Sequence, residues 1–304
     1  MSATDAEACR FVAGHYGRRA ANIRLLGAGE WSRAYGFVLD GRDVVIRFGH
    51  HVEDFRKDQV MAAHSSAALP IPEVIEIGAA GDGYFAVSHC APGEPLDGLD
   101  VAGMRAVLPG LLAALDAVRD IDVSGTHGYG LWAPDGAGPA ASWAQALLAI
   151  SQETARVGGW RAALAASPAG MGPFDRGYAR LRELAAGLPD QRHLIHGDLV
   201  NRNVLVHGAR ITAVIDWGNA LYGDWLYDPA WLIFWWPWFP RWQDIDITAE
   251  LERRWEQHGG QPAGLHHRLQ ACLVHIGLDA MAYTAYRGRW DDLTRVASQV
   301  SELI

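Results

Sequence analysis

Residues 193–206 read HLIHGDLVNRNVLV, and this stretch decides how the rest of the chain is interpreted. The short apolar run at each end is typical of a buried strand. The eight residues between the runs include a histidine, an aspartate and two asparagines. We therefore expect a polar loop between two strands, a common location for binding and catalytic side chains. The simpler interpretation is a turn in which Asp198 and Asn203 only bond local backbone groups.

Residues 211–230, ITAVIDWGNALYGDWLYDPA, supply a second carboxylate. An apolar run ends at Asp216, and the turn HGAR at 207–210 connects it to the preceding strand. We expect this hairpin to return Asp216 beside Asn203, where a carboxylate and an amide oxygen suit Mg²⁺. Asp198, before the hairpin, is then the candidate that accepts a proton from a hydroxyl. Phosphoryl transfer requires this combination of an oriented nucleophile and metal-bound phosphates.

The first ninety or so residues predict a small sheet with a helix packed on it. Residues 23–49 read as three strands, with a glycine-rich turn and an Asp-Gly hairpin signal between them. Residues 54–69 are typical of a helix, and 73–90 of two further strands. The glycine-rich turn GAGEWSRAY, at 27–35, offers backbone N–H groups and the Ser32 hydroxyl to phosphates.

The other candidate nucleotide contacts follow in the same region. Arg47 lies among apolar residues in VVIRF, and a cation in such a run needs an anionic partner. We expect Asp58, on the next helix, to position Arg47 against nucleotide phosphates, although surface roles for both are the alternative. The main chain of His89, Cys90 and Ala91, at the end of the sheet, is where an adenine is expected to form strand-like hydrogen bonds.

The composition changes at residues 91–99, APGEPLDGL, and we place a lobe boundary there. The prediction is a nucleotide-binding lobe at 1–91 and a catalytic and acceptor-binding lobe at 92–304. Apolar residues at helical spacing indicate that the second lobe is mainly helical, apart from the strands around the polar loop. The predicted fold class is therefore α+β.

The chain has 304 residues, with 50% apolar and 20% charged residues, which is ordinary for a soluble globular protein. Its 26 basic and 35 acidic residues give a net charge of −9, which argues against nucleic-acid binding. The negative charge favours a cationic ligand, or serves only solubility. Three scattered cysteines, no signal-peptide pattern and an apolar segment at 231–240 too short for a membrane span predict a cytoplasmic protein without membrane contact.

These stretches together resemble the aminoglycoside phosphotransferase family, relatives of the protein kinases, and within it the hygromycin B phosphotransferases. The resemblance implies a two-lobed, protein-kinase-like fold. It also implies transfer of the γ-phosphoryl of ATP or GTP, with Mg²⁺, to a hydroxyl of a cationic aminoglycoside such as hygromycin B. Antibiotic resistance and a monomeric enzyme are expected. The resemblance is carried by GEWSRAYGF, SSAALPIPEVIEIG, HLIHGDLVNRNVL, RITAVIDWGNALYGD and IFWWPW.

Residue roles follow from the resemblance where the motifs match. Arg47 and Asp58 replace the lysine and glutamate that are usual in the family. Because a guanidinium is larger and holds phosphate in a fork, this departure leaves the choice between ATP and GTP open. The other implied roles are catalytic base for Asp198, magnesium ligands for Asn203 and Asp216, and phosphate contact for Ser32.

Acceptor contacts are expected in the second lobe. Tryptophans crowd the segment 231–242, and core packing explains most of them. We expect Trp235 and Trp238 to offer flat faces to sugar rings. Asp279 is the candidate anion for a cationic acceptor, and Asn201 lies close to Asp198 in sequence.

Two alternatives remain open from the sequence. The same fold phosphorylates other hydroxyl compounds, such as macrolides, choline, homoserine or ketosamines, and an inactive relative would bind nucleotide or drug only. Structural roles are expected for three further polar residues: backbone bonding in the loop for His196, and capping of the next helix for Asp224 and Asp228.

Overall fold

The computed structural model describes residues 4–29, 32–200 and 202–304. Its contacts group the chain into two compact units. The first comprises residues 1–99, 106–114 and 201–219, and the second comprises 100–105, 115–200 and 220–304. This grouping adds the predicted metal-binding hairpin to the first unit, whereas the division at residues 91 and 92 stays a prediction.

The described residues form β-strands and α-helices in both units. The strands are β1 (Ala20–Ala28), β2 (Ser32–Leu39), β3 (Arg42–Gly49), β4 (Val74–Ala80), β5 (Gly83–His89), β6 (Glu94–Pro95), β7 (Gly130–Leu131), β8 (His193–Ile195), β9 (Val204–His207), β10 (Arg210–Val214) and β11 (Leu221–Gly223). The helices are α1 (Asp5–Tyr16), α2 (Val52–Ala62), α3 (Val101–Arg119), α4 (Trp143–Leu148), α5 (Trp160–Ala166), α6 (Gly172–Ala185), α7 (Tyr227–Trp235), α8 (Ile247–Gln257), α9 (Leu265–Tyr286) and α10 (Trp290–Glu302).

The first unit contains an antiparallel sheet in the order β1-β2-β3-β5-β4. Side chains alternate between the two faces of a strand, so each face takes its own partner helix. One face packs with α1 in a cluster that includes Val44, Ile46 and Phe48 of β3. A second cluster joins Phe55 of α2 to Val74 and Ala86 of the sheet. The sheet therefore has a helix on each side, one more than the sequence analysis assigned to it.

A second, small sheet of the first unit has the order β10-β9-β6. The β9–β10 hairpin pairs Val204 with Val214 and His207 with Arg210. The predicted hairpin is confirmed, and the turn at 207–210 has the expected place. Its open end is therefore formed by Asn203 and the residues that follow Val214.

The second unit is mainly helical, as predicted, and also holds a three-stranded sheet in the order β7-β11-β8. The long helix α9 is buried along most of its length and packs against α5, α6, α7 and α10. Strand β8 leads directly into the polar loop, whose described residues are 196–200, 202 and 203. The loop thus begins from a buried strand that is hydrogen-bonded to β11.

Among the described residues, α3 is long and apolar enough to cross a membrane, judged by length and composition alone. Buried core helices share this property, and Met104, Val107 and Leu111 of α3 are fully buried. The helix also carries Arg105, Asp116 and Arg119, so its apolar run is interrupted by charge.

Candidate active site

Arg47 and Asp58 form a buried ion pair in the first unit. Arg47 lies on the face of β3 opposite to Ile46 and Phe48, and its guanidinium contacts the Asp58 carboxylate of α2. The side chains are 16% and 8% exposed. The pairing predicted from the sequence is confirmed, because strand alternation and the next helix bring the two charges together.

The charges around Arg47 keep it ionised. Burial alone would lower the pKa of its guanidinium, but the carboxylates of Asp58 and Asp216 outweigh this effect and raise the pKa above its usual value. The Arg47 Nη1 lies 3.8 Å from Oδ1 of Asp216. The guanidinium also lies over the ring of Phe55, at 5.2 Å from its centre. Arg47 is thus a fixed cation beside an exposed carboxylate.

Asn203 and Asp216 lie at the open end of the β9–β10 hairpin. The backbone N–H of Ile215 donates to the carbonyl of Asn203 at 2.9 Å, which places Asp216 next to this pair. Asn203 is buried, whereas the side chain of Asp216 is 51% exposed. The predicted neighbourhood of the two residues is therefore present in the structure.

Asp216 has a backbone φ of 64°, in the left-handed region. A residue other than glycine in this region is uncommon, and aspartate is one of the residue types that tolerate it best. Such a conformation needs support from its surroundings. The following residues provide it, since helix α2 contacts the 3₁₀ turn Trp217–Asn219.

Two side chains of α2 bond the turn that follows Asp216, and a third lies close to it. The Asp58 carboxylate accepts a hydrogen bond from the backbone N–H of Trp217 at 2.8 Å. The Nζ of Lys57 donates to the carbonyl of Gly218 at 2.8 Å. A Cβ on Gly218 would lie 2.9 Å from Cγ of Asp54, so a side chain would not fit there.

The donor set at the hairpin fits a magnesium ion. Asp216 offers carboxylate oxygens and Asn203 an amide oxygen, and Mg²⁺ is commonly bound by one or two protein groups together with phosphates and waters. Among the described residues no group of three or more His, Cys, Asp or Glu side chains forms a metal cluster.

The predicted nucleotide loop is described in part. Ser32 begins β2, and its carbonyl accepts a hydrogen bond from the N–H of Gly29 at 2.8 Å. Glu30 and Trp31 of the GAGEWSRAY motif lie outside the described residues. The structure thus places the Ser32 end of the turn at the start of a sheet strand.

At the strand end predicted to bind adenine, two backbone N–H groups already donate hydrogen bonds within the protein. The N–H of His89 donates to the carbonyl of Glu73 at 3.0 Å, and the N–H of Cys90 donates to that of Asp43 at 3.2 Å. These bonds extend the sheet to the end of β5. The prediction named the main chain of His89, Cys90 and Ala91, and of these residues Ala91 lies beyond the two bonds.

Asp198 lies in a loop whose backbone is fixed by buried groups of the second unit. Gly197 has a φ of 78°, which favours glycine, and its N–H donates to Asp228 at 2.8 Å. The N–H of His196 donates to the other oxygen of Asp228 at 2.9 Å. The Nδ1 of His196 accepts from the N–H of Asp198 at 3.2 Å, so the predicted backbone role of His196 is confirmed.

The prediction that Asp228 caps a helix is wrong. Asp228 lies inside α7, and its carboxylate bonds the loop rather than the helix start. Burial raises its pKa to about 6, although the two backbone donors act in the opposite direction. A long-range contact of this kind leaves no local sequence signal.

Asp224 does lie before α7, and its Oδ1 accepts from the N–H of Leu226 at 3.1 Å. Its carboxylate also forms a fully buried, bidentate pair with Arg268 of α9, with N–O distances of 2.6 and 2.7 Å. The bond to Leu226 reaches the residue before the helix, and α7 has no side-chain cap, so the predicted capping role of Asp224 is wrong. Its carboxylate instead ties α9 to the segment before α7.

The tryptophans proposed to contact the acceptor form a continuous aromatic group. The Trp235 ring lies 5.8 Å from that of Trp231 and 5.2 Å from that of Trp238. The indole N–H groups of Trp231 and Trp235 are buried without a hydrogen-bond acceptor among the described residues. The indole N–H of Trp238 instead donates to Gln299 at 3.1 Å. Of the two predicted residues, Trp235 is thus the one with an unused donor.

Asp279 belongs to a group of titratable residues on α7 and α9. The side chain keeps contact with solvent, yet the surrounding protein displaces enough water to raise its pKa to about 6. Burial lowers the pKa of His275 to about 4, and its Nδ1 lies 3.1 Å from the hydroxyl of Tyr227. Burial, followed by the charge of Asp279, raises the pKa of Tyr227 well above its usual value. Asp279 is therefore an anion near neutral, polar partners.

One predicted site residue is not described, and one residue near the site was not predicted. Asn201 lies outside the described residues. Lys57, which contacts the turn after Asp216, was not selected from the sequence, because a lysine on a charged helix usually points into solvent. The composition of the chain offered one signal of a special role, because Lys57 is its only lysine beside 25 arginines.

The described geometry can be compared with known proteins. Residues 22–270 match the model of the phosphotransferase enzyme family. The chain is 35% identical over 278 residues to hygromycin-B 4-O-kinase of Escherichia coli, covering 90% of this chain and 77% of that protein.

Solved structures of aminoglycoside phosphotransferase APH(4)-Ia are also similar. A thermostable variant in ternary complex with AMP-PNP and hygromycin B has a TM-score of 0.84 and 32% identity, covering 97% of this chain and 96% of that one. A variant in complex with ADP and hygromycin B has the same TM-score, identity and coverage. The kinase-like fold and the family resemblance predicted from the sequence are confirmed.

Proposed function

Since the chain belongs to the phosphotransferase enzyme family, we propose that it transfers the γ-phosphoryl group of a nucleoside triphosphate to a hydroxyl of hygromycin B. The 35% identity to hygromycin-B 4-O-kinase over 90% of the chain carries this proposal. The complexes of APH(4)-Ia with hygromycin B and either AMP-PNP or ADP support the pairing of the two substrates.

Asp198 acts on the acceptor hydroxyl. Its loop is held by Asp228 and His196, while its own side chain remains partly exposed. The carboxylate orients the hydroxyl and takes its proton as the oxygen forms a bond to the γ-phosphorus. The bond from that phosphorus to the bridging oxygen breaks, and the nucleoside diphosphate leaves with the electron pair. Asp198 is thus the catalytic residue of the proposal.

Asn203 and Asp216 are the side chains that would hold Mg²⁺. The ion, when bound, neutralises negative charge on the phosphate oxygens. Arg47 adds a second positive charge, which Asp58 keeps in a fixed position. Ser32, at the start of β2, contacts a phosphate oxygen with its hydroxyl.

The nucleotide base contacts the strand end after β5. Because the N–H groups of His89 and Cys90 already donate within the sheet, Ala91 supplies the donor to the base. ATP and GTP differ in the edge that they present to such a donor. The rates of phosphate transfer from ATP and from GTP should therefore be compared.

The acceptor is bound by the aromatic group and by Asp279. Trp235 and Trp238 cover the apolar faces of sugar rings. Asp279 pairs with an ammonium group of the drug. The net charge of −9 attracts such a polycation. Phosphorylation adds negative charge to the drug, and we expect the host cell to become resistant to it. The enzyme is expected to be a monomer in the cytoplasm.

A panel of acceptors tests the proposal. Purified protein, ATP and Mg²⁺ are incubated separately with hygromycin B, a macrolide, choline, homoserine and a ketosamine, and ADP release is measured. We expect release with hygromycin B that exceeds the acceptor-free rate. Release with another member of the panel alone would reassign the acceptor. No release with any acceptor would favour a protein that binds its ligands without transfer.

A further inference from the structure

The only lysine of the chain is buried against the backbone that follows a proposed metal ligand. Lys57 is 2% exposed, and its Nζ donates to the carbonyl of Gly218, 161 residues away in sequence. The other 25 basic residues counted with it are arginines. A compact ammonium and a planar guanidinium are not equivalent at a buried site.

The contact lies where the backbone needs support. Asp216 has a left-handed backbone with a φ of 64°. The next two residues are gripped by α2, through Asp58 at the N–H of Trp217 and through Lys57 at the carbonyl of Gly218. One helix thus fixes both a donor and an acceptor group of the turn. The direction of the Asp216 side chain follows from that turn.

Burial of a charged ammonium is unfavourable unless it is compensated. Removing an ammonium from water is strongly unfavourable before partners are counted. An apolar residue would fill the same position on α2 without this cost. The observed lysine instead places a strong donor on one carbonyl, two residues beyond Asp216. Its position is thus better explained by orientation of the turn than by packing.

We propose that Lys57 is a positioning residue that fixes the Asp216–Gly218 backbone and thereby holds the Asp216 carboxylate ready for magnesium. The proposal rests on the metal role of Asp216 given under the proposed function. Groups that orient metal ligands commonly contribute tenfold to a hundredfold to metal affinity. Lys57 does not contact the nucleotide in this account and acts through Asp216.

The variant Lys57→Met removes the donor and retains most of the side-chain length. Isothermal titration measures ADP binding with excess Mg²⁺ and, separately, with excess EDTA. We expect ADP binding in Mg²⁺ to weaken by about tenfold and binding in EDTA to stay within about twofold of the wild type. Met61→Ala is the matched control, because Met61 is equally buried on α2. It should lower the melting temperature and leave the effect of Mg²⁺ unchanged.

If Mg²⁺ strengthens ADP binding by Lys57→Met as much as it does for the wild type, the proposal is overturned, whatever the melting temperature of the variant. This strengthening of ADP binding is the magnesium effect. Asp216→Ala separates this outcome from failure of the proposed function. If Asp216→Ala retains the full magnesium effect, the metal assignment itself is wrong. If Asp216→Ala loses the effect and Lys57→Met does not, only the role of Lys57 is wrong.

The single lysine also permits a test without substitution, which applies even if Lys57→Met fails to fold. Protein produced with ¹³C-labelled lysine gives one side-chain signal in NMR spectra. We expect this signal to shift when Mg²⁺ and ADP bind, and to shift much less with ADP in EDTA. A signal that is the same at saturating Mg²⁺ and ADP as in the free protein would contradict the coupling of Lys57 to the metal site.

Discussion

The carboxylate of Asp58 accepts the backbone N–H of Trp217 at 2.8 Å and contacts the guanidinium of Arg47 with its other oxygen. A single buried side chain thus joins the proposed phosphate-binding arginine to the turn after the proposed metal ligand. Both relationships lie within the first unit.

Asp58→Ala removes both contacts and leaves Arg47 without its main partner. Loss of one member of a buried pair commonly costs about 3 kcal/mol, so we expect the free energy of unfolding to fall by roughly this amount. Urea denaturation measures the change. Glu53→Ala, at an exposed position on the same helix, serves as the control and should change the stability by less than about 0.5 kcal/mol. Equal stability of the two variants would show that the ion pair contributes nothing.

Asp198→Ala should lower kcat by on the order of a hundredfold or more, because the hydroxyl then loses its proton acceptor. The nucleotide KM should change little, since Asp198 is assigned to the acceptor. Steady-state kinetics with hygromycin B separates the two constants. Asp190→Ala, an exposed position on the same unit, is the control. A kcat near the wild-type value in Asp198→Ala would remove the catalytic assignment.

Binding of the drug should depend on pH through Asp279, whose pKa is raised to about 6. The carboxylate is ionised above this pH and attracts a cation, and it becomes neutral as the pH falls below it. We expect affinity for hygromycin B to fall by about tenfold between pH 7.5 and 5, the worth of one hydrogen bond to a charged group. The nearby His275 stays neutral down to about pH 4 and adds no charge in this range.

Asp279→Asn is the matched variant for that titration. It should bind the drug weakly at pH 7.5 and show little further loss at pH 5. A pH profile of binding that is identical in the wild type and Asp279→Asn would assign the titration to another group, such as an amine of the drug itself.

The buried carboxyl of Asp228 should make the folded protein less stable as the pH rises. Its folded-state pKa of about 6 exceeds the usual value of 3.8, so the folded protein binds this proton more tightly than the unfolded chain. The stabilising contribution is complete below about pH 4 and is lost as the pH rises through 6. The loss is on the order of 3 kcal/mol at most.

The comparison of wild type with Asp228→Asn isolates this contribution. Urea denaturation at several pH values between 4 and 7 gives both stability curves. We expect their difference to change across pH 4 to 6, while His275, with its lowered pKa, contributes equally to both. Parallel curves would mean that Asp228 does not titrate in this range.

The sequence was sufficient for the elements that depend on local pattern. The short apolar runs and the HGAR turn predicted the hairpin that brings Asn203 beside Asp216, and the strand-then-helix order predicted the Arg47–Asp58 pair. In each case the geometry follows from the period of a strand or the length of a turn. The family motif then assigned roles that the geometry alone does not give.

Contacts between distant segments could not be predicted in the same way. Asp228 reads as a helix cap, because nothing near it in sequence shows that its partners are the N–H groups of His196 and Gly197. Lys57 reads as a solvated helix residue, although it is buried against Gly218. Both side chains bond backbone groups. Because every residue type carries a backbone carbonyl and nearly all carry an N–H, a sequence pattern cannot identify such partners.

The most direct test of the central claim is mass spectrometry of hygromycin B after incubation with the protein, ATP and Mg²⁺. The account predicts a product that carries one additional phosphate, in an amount that matches the ADP formed, and no such product with Asp198→Ala over the same time. Unmodified drug after prolonged incubation with wild-type protein that binds both ligands would contradict it.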